Sequence, residues 1–175
     1  RITYYQAGVA TQLGYYQNPD TNNPAGQALN PQPIIQLQDF AGNAVSQAGV
    51  VVTATATSNV AGGYASVING TATTDAYGRA TFSGLSIVAT AGTVSLAFSS
   101  GSLTPPTPAT VTVTAGTASK LTVTPPATAT AGTFNVTVAL TDAAGNPVAN
   151  SGASGNSTAQ SFTLGGTNAF TLAGT

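Results

Sequence analysis

Apolar and polar positions alternate along most of the chain with a period of two. Val51-Val52-Thr53-Ala54-Thr55-Ala56-Thr57 and Val111-Thr112-Val113-Thr114 are the clearest runs. This period places every second side chain on one face, the signature of a strand buried on one side. No stretch of useful length carries the 3.6-residue period of a helix. The alternation predicts strands near 11–16, 33–39, 49–57, 63–69, 79–87, 92–99 and 109–114. A further set is predicted near 119–124, 133–141, 159–164 and 168–173. Gly, Pro, Asn and Asp punctuate these runs roughly every ten residues, as turns do. The stiff Thr104-Pro105-Pro106-Thr107-Pro108 stretch precedes the seventh strand. Seven strands over roughly 105 residues is the count of an immunoglobulin-type sandwich. The predicted class is therefore all-β, with Ig-like β-sandwich modules in tandem. A Thr/Ala/Gly linker of low complexity would lack the regularly placed Leu, Ile and Phe.

The pattern repeats. Val111 to Leu121 parallels Ile2 to Leu13, with one extra residue in the earlier copy. Ala25-Gly26 recurs as Ala131-Gly132, and the stretch 36–45 recurs as 139–148, both including Asp-x-x-Gly-Asn. A period near 105 residues reads as tandem sandwiches. The expected division is an N-terminal strand over 1–10, a complete sandwich over 11–116, and a second module over 117–175 that lacks its closing strand or strands.

Three segments carry a resemblance to a known family. They are Pro33 to Asn43, Thr74 to Phe82, and Ala91 to Phe98. The stretch from about 11 to 118 resembles the bacterial Ig-like domains of invasin- and intimin-type adhesins and related filamin-like repeats. That resemblance implies a spacer or adhesive stalk on a cell surface and no enzyme activity.

Composition narrows the chemistry. Charged residues make up 4% of the 175, and the net charge is −1. An average soluble domain carries roughly 25%. No basic patch exists to neutralise phosphates, so nucleic acid and anionic membrane are not expected partners. Weak self-repulsion also tolerates close packing of copies. Cys, His, Met and Trp are absent. Disulfides, thiolate chemistry and the commonest general base and metal ligand are thereby removed. The lack of Cys and Met also removes the easily oxidised side chains, which suits a long-lived extracellular material. No apolar run reaches the ~18 residues of a membrane span. The start at Arg1 and the lack of Met predict a removed leader or a piece of something longer.

Four acids and three bases allow the ionisable groups to be taken one by one. Asp39, Asp75 and Asp142 each begin an Asp-x-x-Gly segment, closed by Gly42, Gly78 and Gly145. Asp at the first position bonds the backbone ahead of it, and Gly takes the positive φ, so these read as structural turns. A Ca²⁺ site would need several converging oxygens, and each turn offers one carboxylate. Asp20, in the loop 18–24, is the one carboxylate without such a turn, and a lone carboxylate is not an acid/base pair. Lys120 reads as a solvated strand charge that discourages edge pairing. An isopeptide cross-link would need a buried acid beside it, which the sequence does not place. No catalytic residue, metal site or cofactor is expected. Asn69, Asn135 and Asn156 begin Asn-x-Ser/Thr sequons, and Asn69 and Asn156 stand at loop positions suited to glycosylation.

The ends do not match. By the repeat, residues Arg1, Ile2, Thr3, Tyr4, Tyr5 and Gln6 form the last strand of a sandwich that does not precede them. The module after residue 117 has no such strand. An open sandwich leaves apolar surface and backbone groups unpaired. The expectation is that Arg1–Gln6 of one copy completes the C-terminal module of the next, by strand addition. Donor and acceptor differ, so the contact runs head to tail and makes a homopolymer. The expected function is thus a structural subunit of a secreted extracellular filament or pilus. One alternative is a fragment of a long tandem Ig-like surface adhesin. Another is a viral surface or tail decoration module, with Tyr4, Tyr5, Tyr15 and Tyr16 as first suspects for a glycan contact.

Overall fold

The computed structural model describes residues 8–124, 137–148, 163–164 and 170–171. These residues hold strands and no helix. The first ten strands are β1 (Gln12–Gln17), β2 (Asn22–Pro24), β3 (Ile34–Gln38), β4 (Val51–Ser58), β5 (Ala65–Ile68), β6 (Thr71–Thr73), β7 (Arg79–Thr81), β8 (Ser86–Ala89), β9 (Gly92–Ser99) and β10 (Ala109–Thr114). A five-stranded sheet runs in the order β2-β10-β9-β4-β6, and a three-stranded sheet in the order β1-β3-β7. The ribbon β5-β8 joins them. The fold is an all-β sandwich.

Alternation builds the core. Val94, Leu96 and Phe98 of β9, Val111 and Val113 of β10, and Val52 and Ala54 of β4 turn inward from the larger sheet. Leu13, Ile35 and Leu37 meet them from the smaller one, and Ile87 and Ala89 from the ribbon. Phe82 and Phe98 pack edge to face, with ring centroids 5.3 Å apart. Such pairs add about 0.5–1.5 kcal/mol to the burial of their area.

Ten strands stand where the alternation predicts seven. The run over 79–87 divides into β7 and β8, because Gly84 takes a left-handed φ of 67° and turns the chain. β7 then pairs with β3, and β8 with β5. β2 lies in Asn22-Asn23-Pro24, which reads as a loop. It pairs in parallel with β10 at the sheet edge, where proline's missing N–H costs no ladder bond. β6 is three residues beyond β5 and pairs with the start of β4. The sandwich over 12–114 takes its last strand, β10, from its own chain.

Beyond it, β11 (Lys120–Thr124) and β12 (Thr137–Thr141) form an antiparallel pair, as do β13 (Thr163–Leu164) and β14 (Phe170–Thr171). Arg1–Gln6 and Asn156 lie outside the described residues.

Candidate functional site: the joint at Gly116

Each Asp-x-x-Gly segment closes a turn in the same way. After β3, the Asp39 N–H donates to Asn43 O at 2.9 Å, and the Gly42 N–H returns to Asp39 O at 3.0 Å. Asp39 Oδ1 accepts the N–H groups of Ala41 at 3.0 Å and Asn43 at 2.9 Å. Gly42 has φ 85°. After β12, Asp142 Oδ1 accepts Ala144 N–H and Asn146 N–H, both at 2.9 Å, and Gly145 has φ 88°. Asp75 Oδ1 accepts Tyr77 N–H at 2.8 Å and Arg79 N–H at 3.0 Å, with Gly78 at φ 74°.

The second carboxylate oxygen separates the turns. Asp39 Oδ2 accepts Asn43 Nδ2 at 3.0 Å and the Gly8 backbone N–H at 3.1 Å. Asp142 Oδ2 accepts Asn146 Nδ2 at 2.9 Å and the Gly116 backbone N–H at 2.8 Å. Each carboxylate thus holds its own turn with one oxygen and the incoming Ala-Gly stretch with the other. The flanking bonds repeat too. Thr11 N–H reaches Gln38 O, and Ser119 N–H reaches Thr141 O, each at 2.9 Å. Val45 N–H reaches Leu37 O, and Val148 N–H reaches Leu140 O. The turn at Asp75 holds no such stretch. Its fifth residue is Arg79, whose Nε donates to Gln36 Oε1 at 3.2 Å and whose guanidinium lies 3.8 Å over the Tyr16 ring.

At Asp142 the cluster reaches further. Asn146 is 3% exposed. Its Nδ2 also donates to Ala89 O at 2.8 Å, and its Oδ1 accepts the Ala91 N–H at 2.7 Å. The β8–β9 corner of the sandwich is thereby bonded to the turn that follows β12. Gly116 is required at the joint, because a Cβ there would collide with the backbone carbonyl of Ala25. No buried side-chain polar atom among the described residues lacks a partner.

The electrostatics follow the donors. The Asn43 amide, the Gly8 and Asn43 N–H groups, and Ala41 N–H hold the Asp39 carboxyl down at about 2, against a weaker opposing effect of burial. For Asp142 burial is the largest single influence and pushes upward, but the bonds from Gly116, Asn146 and Ala144 together outweigh it, so its carboxyl also lies below 3.8. Hydrogen bonds to a carboxylate favour its charged form in this way.

Asp20 Oδ1 accepts Asn22 N–H at 3.1 Å, so it too serves a local turn, one the loop sequence hides. Asn69 is exposed in a left-handed turn at φ 55°, with its Nδ2 on Gly84 O at 3.1 Å. Lys120 is exposed and its Nζ donates to Ala143 O at 3.1 Å. Tyr15 packs edge-on against Phe98 and donates its hydroxyl to Thr107 O at 3.0 Å, while Tyr16 is half exposed. Asp39, Asp75 and Asp142 stand in separate turns, and the described residues hold no cluster of three metal-ligating side chains. Tyr4 and Tyr5 lie outside the described residues. The role of Asn146 escapes a reading of single turns. Its signal is the fifth turn position, Asn in the two segments that hold an Ala-Gly stretch and Arg in the third.

Compared with known proteins, the chain matches no family model and no curated protein sequence.

Proposed function

We propose that the chain is a non-catalytic structural subunit of an extracellular filament or pilus, made of Ig-like sandwiches and assembled head to tail by strand complementation. The observation that carries the reading is the recurrence of one clamp, Gly8 on Asp39 and Gly116 on Asp142. The same fastening of a linker to the turn of the following unit is what a serial array needs. The complementation step rests on two points. The sandwich over 12–114 already owns its last strand, β10. By the repeat, Ile2 and Tyr4 correspond to Val111 and Val113, whose side chains fill the core. By the repeat, residues 1–6 would supply a second copy of that strand, which a neighbour could take. The lack of His and Cys and the engagement of the Asp carboxylates in turns leave little with which to run a reaction. A tandem surface stalk, the second reading, is favoured by the same joint, which would be its repeating hinge.

Electron microscopy of the full chain tests the polymer. Thin beaded fibres are expected. Placing Asp at Ile2 and Tyr4 together puts charge where the core needs apolar groups, and should leave single particles. Fibres of unchanged length from that variant would sink strand complementation.

A further inference from the structure

The turn after β6 keeps the bonds of the other two Asp-x-x-Gly turns and changes what it carries. Its third residue is Tyr77, where the others have Ala41 and Ala144, and its fifth is Arg79, where they have Asn43 and Asn146. Closing the turn requires neither residue, since Ala and Asn close the other two with the same backbone bonds. Arg79 is also the only basic residue of the sandwich over 12–114. Its guanidinium lies 3.8 Å over the Tyr16 ring and 5.9 Å from the centre of the Tyr77 ring. Tyr16 stands in β1 where the register against β3 slips, between Tyr15 and Gln17. A bulge of this kind re-aims a side chain. Beneath the guanidinium Gln36 is 4% exposed. Its Oε1 accepts Arg79 Nε at 3.2 Å, and its Nε2 is tied to the carbonyls of Tyr77 at 2.9 Å and Gly78 at 3.1 Å. The charged head is thus held along one edge by a buried amide and on one face by a ring. Both rings still look outward, Tyr16 at 56% and Tyr77 at 68% exposure. The nearby Asp75 turns its Oδ1 to the N–H groups of Tyr77 and Arg79. Among the described residues, the Gln36 side chain is the acceptor that the guanidinium meets.

We infer that Arg79, Tyr16 and Tyr77 form a binding site for a carboxylate-bearing sugar of an acidic polysaccharide. With Nε engaged, the two terminal nitrogens of the guanidinium offer the parallel donors that a carboxylate takes as a fork. The pre-set head loses little freedom when it binds, because Gln36 and Tyr16 already fix it. The exposed tyrosine rings supply an amphipathic surface on which the flat face of a sugar ring packs. A uronic acid carries its carboxylate directly on such a ring, so one residue of the polymer reaches both features. An acidic peptide presents its carboxylate on a flexible stem and leaves the rings unused. The site belongs to the sandwich alone and does not depend on the polymer reading.

Equilibrium dialysis of a fluorescently labelled oligogalacturonate against the full chain decides it, whether the chain is single or in fibres. Saturable binding with a Kd of about 1 mM is expected, as suits one exposed ion pair and one stacked ring. Added salt should weaken it, because the pair is open to solvent. Arg79→Gln and Tyr77→Ala should each weaken it about tenfold. Arg79→Lys, which keeps the charge and loses the fork, should restore only part of the binding. The melting temperature of Tyr77→Ala should stay put, since that ring is exposed, so its loss of binding is not misfolding. Absence of saturable binding by the wild-type chain overturns the site, and so does unchanged binding by Arg79→Gln or Tyr77→Ala. A neutral oligogalactose held as tightly overturns the carboxylate, and an oligoglutamate held as tightly overturns the sugar. Fibre formation in the microscope is read separately and survives any of these failures.

Discussion

Asn146→Ala should loosen the joint and leave the sandwich intact. The side chain makes three bonds, to Ala89 O at 2.8 Å, to Asp142 Oδ2 at 2.9 Å and from Ala91 N–H at 2.7 Å. A typical net value of about 0.5–1.5 kcal/mol per bond gives about 1.5–4.5 kcal/mol. Orphaning the buried Ala89 carbonyl pushes toward the upper end, whereas the part-buried Ala91 N–H can turn to water. Hinge opening limits the loss, since water reaches both groups once the turn lifts away. The expected cost of about 2–3 kcal/mol makes opening roughly 30- to 150-fold more frequent.

Amide hydrogen exchange reads that opening at individual residues. The Ala91 and Gly116 amides should exchange faster by this factor in the variant. Leu96, in the middle of β9 and fully buried, should not change. Equal acceleration at Leu96 would mean that Asn146 belongs to the cooperative core and that no separate joint exists. Unchanged exchange at Ala91 would mean that the three bonds add nothing, and the reasoning from geometry to a fastened joint would fail.

Gly42→Ala and Gly78→Ala test two equivalent turns with different neighbours. At Gly42 nothing lies near an added Cβ, so only the left-handed backbone is penalised, by about 1–2 kcal/mol. At Gly78 the Cβ would also strike the Val45 carbonyl, raising the expected loss to about 3 kcal/mol or more; equal urea midpoints would refute this. Phe98→Ala opens a cavity beside Phe82 and Tyr15 and should cost about 3–5 kcal/mol in chemical denaturation. Asp39 is ionised down to about 2 when folded, against 3.8 as reference. Between those values the unfolded chain binds a proton that the folded chain does not, so stability is full above roughly pH 5 and falls as the solution is acidified through that window. Urea midpoints from pH 6 to 2 should show this fall, with a shallower slope in Asp39→Asn; identical slopes would contradict it.

The strands that the sequence displays best are those with one wet face. β9 and β10 match the predicted 92–99 and 109–114, because Val94, Leu96, Phe98, Val111 and Val113 alternate with polar or small residues. β3 defies alternation, since Ile35, Gln36 and Leu37 are all buried. Gln36 is tolerated because its Nε2 bonds the carbonyls of Tyr77 and Gly78 and its Oε1 accepts from Arg79, partners some forty residues away. The turns at Asp39, Asp75 and Asp142 are readable because carboxylate, amide and glycine all lie within five residues. Their second oxygens are not, since Gly8 and Gly116 lie 31 and 26 positions from the carboxylates they meet. Only the contrast of Asn43 and Asn146 with Arg79 carries a trace of that link.

A chain with seven charged side chains and no cysteine has few salt bridges and no disulfide to draw on, and the sandwich meets the turn after β12 through other contacts. The Asp-Asn pair supplies them with a division of labour. One oxygen of Asp142 fixes the turn, the other fixes the linker, and Asn146 carries the contact to the neighbour. The carboxylate is buried, yet four N–H donors keep it charged. Its pKa lies below the ordinary carboxylate value, so neutral and mildly acidic solutions leave the joint charged. Salt would act weakly on it as well, because the partners are amides inside the joint and screening acts chiefly on exposed charges. An external fibre of the proposed kind meets varied pH and salt, and a joint built from one buried carboxylate and backbone amides would keep its angle through both.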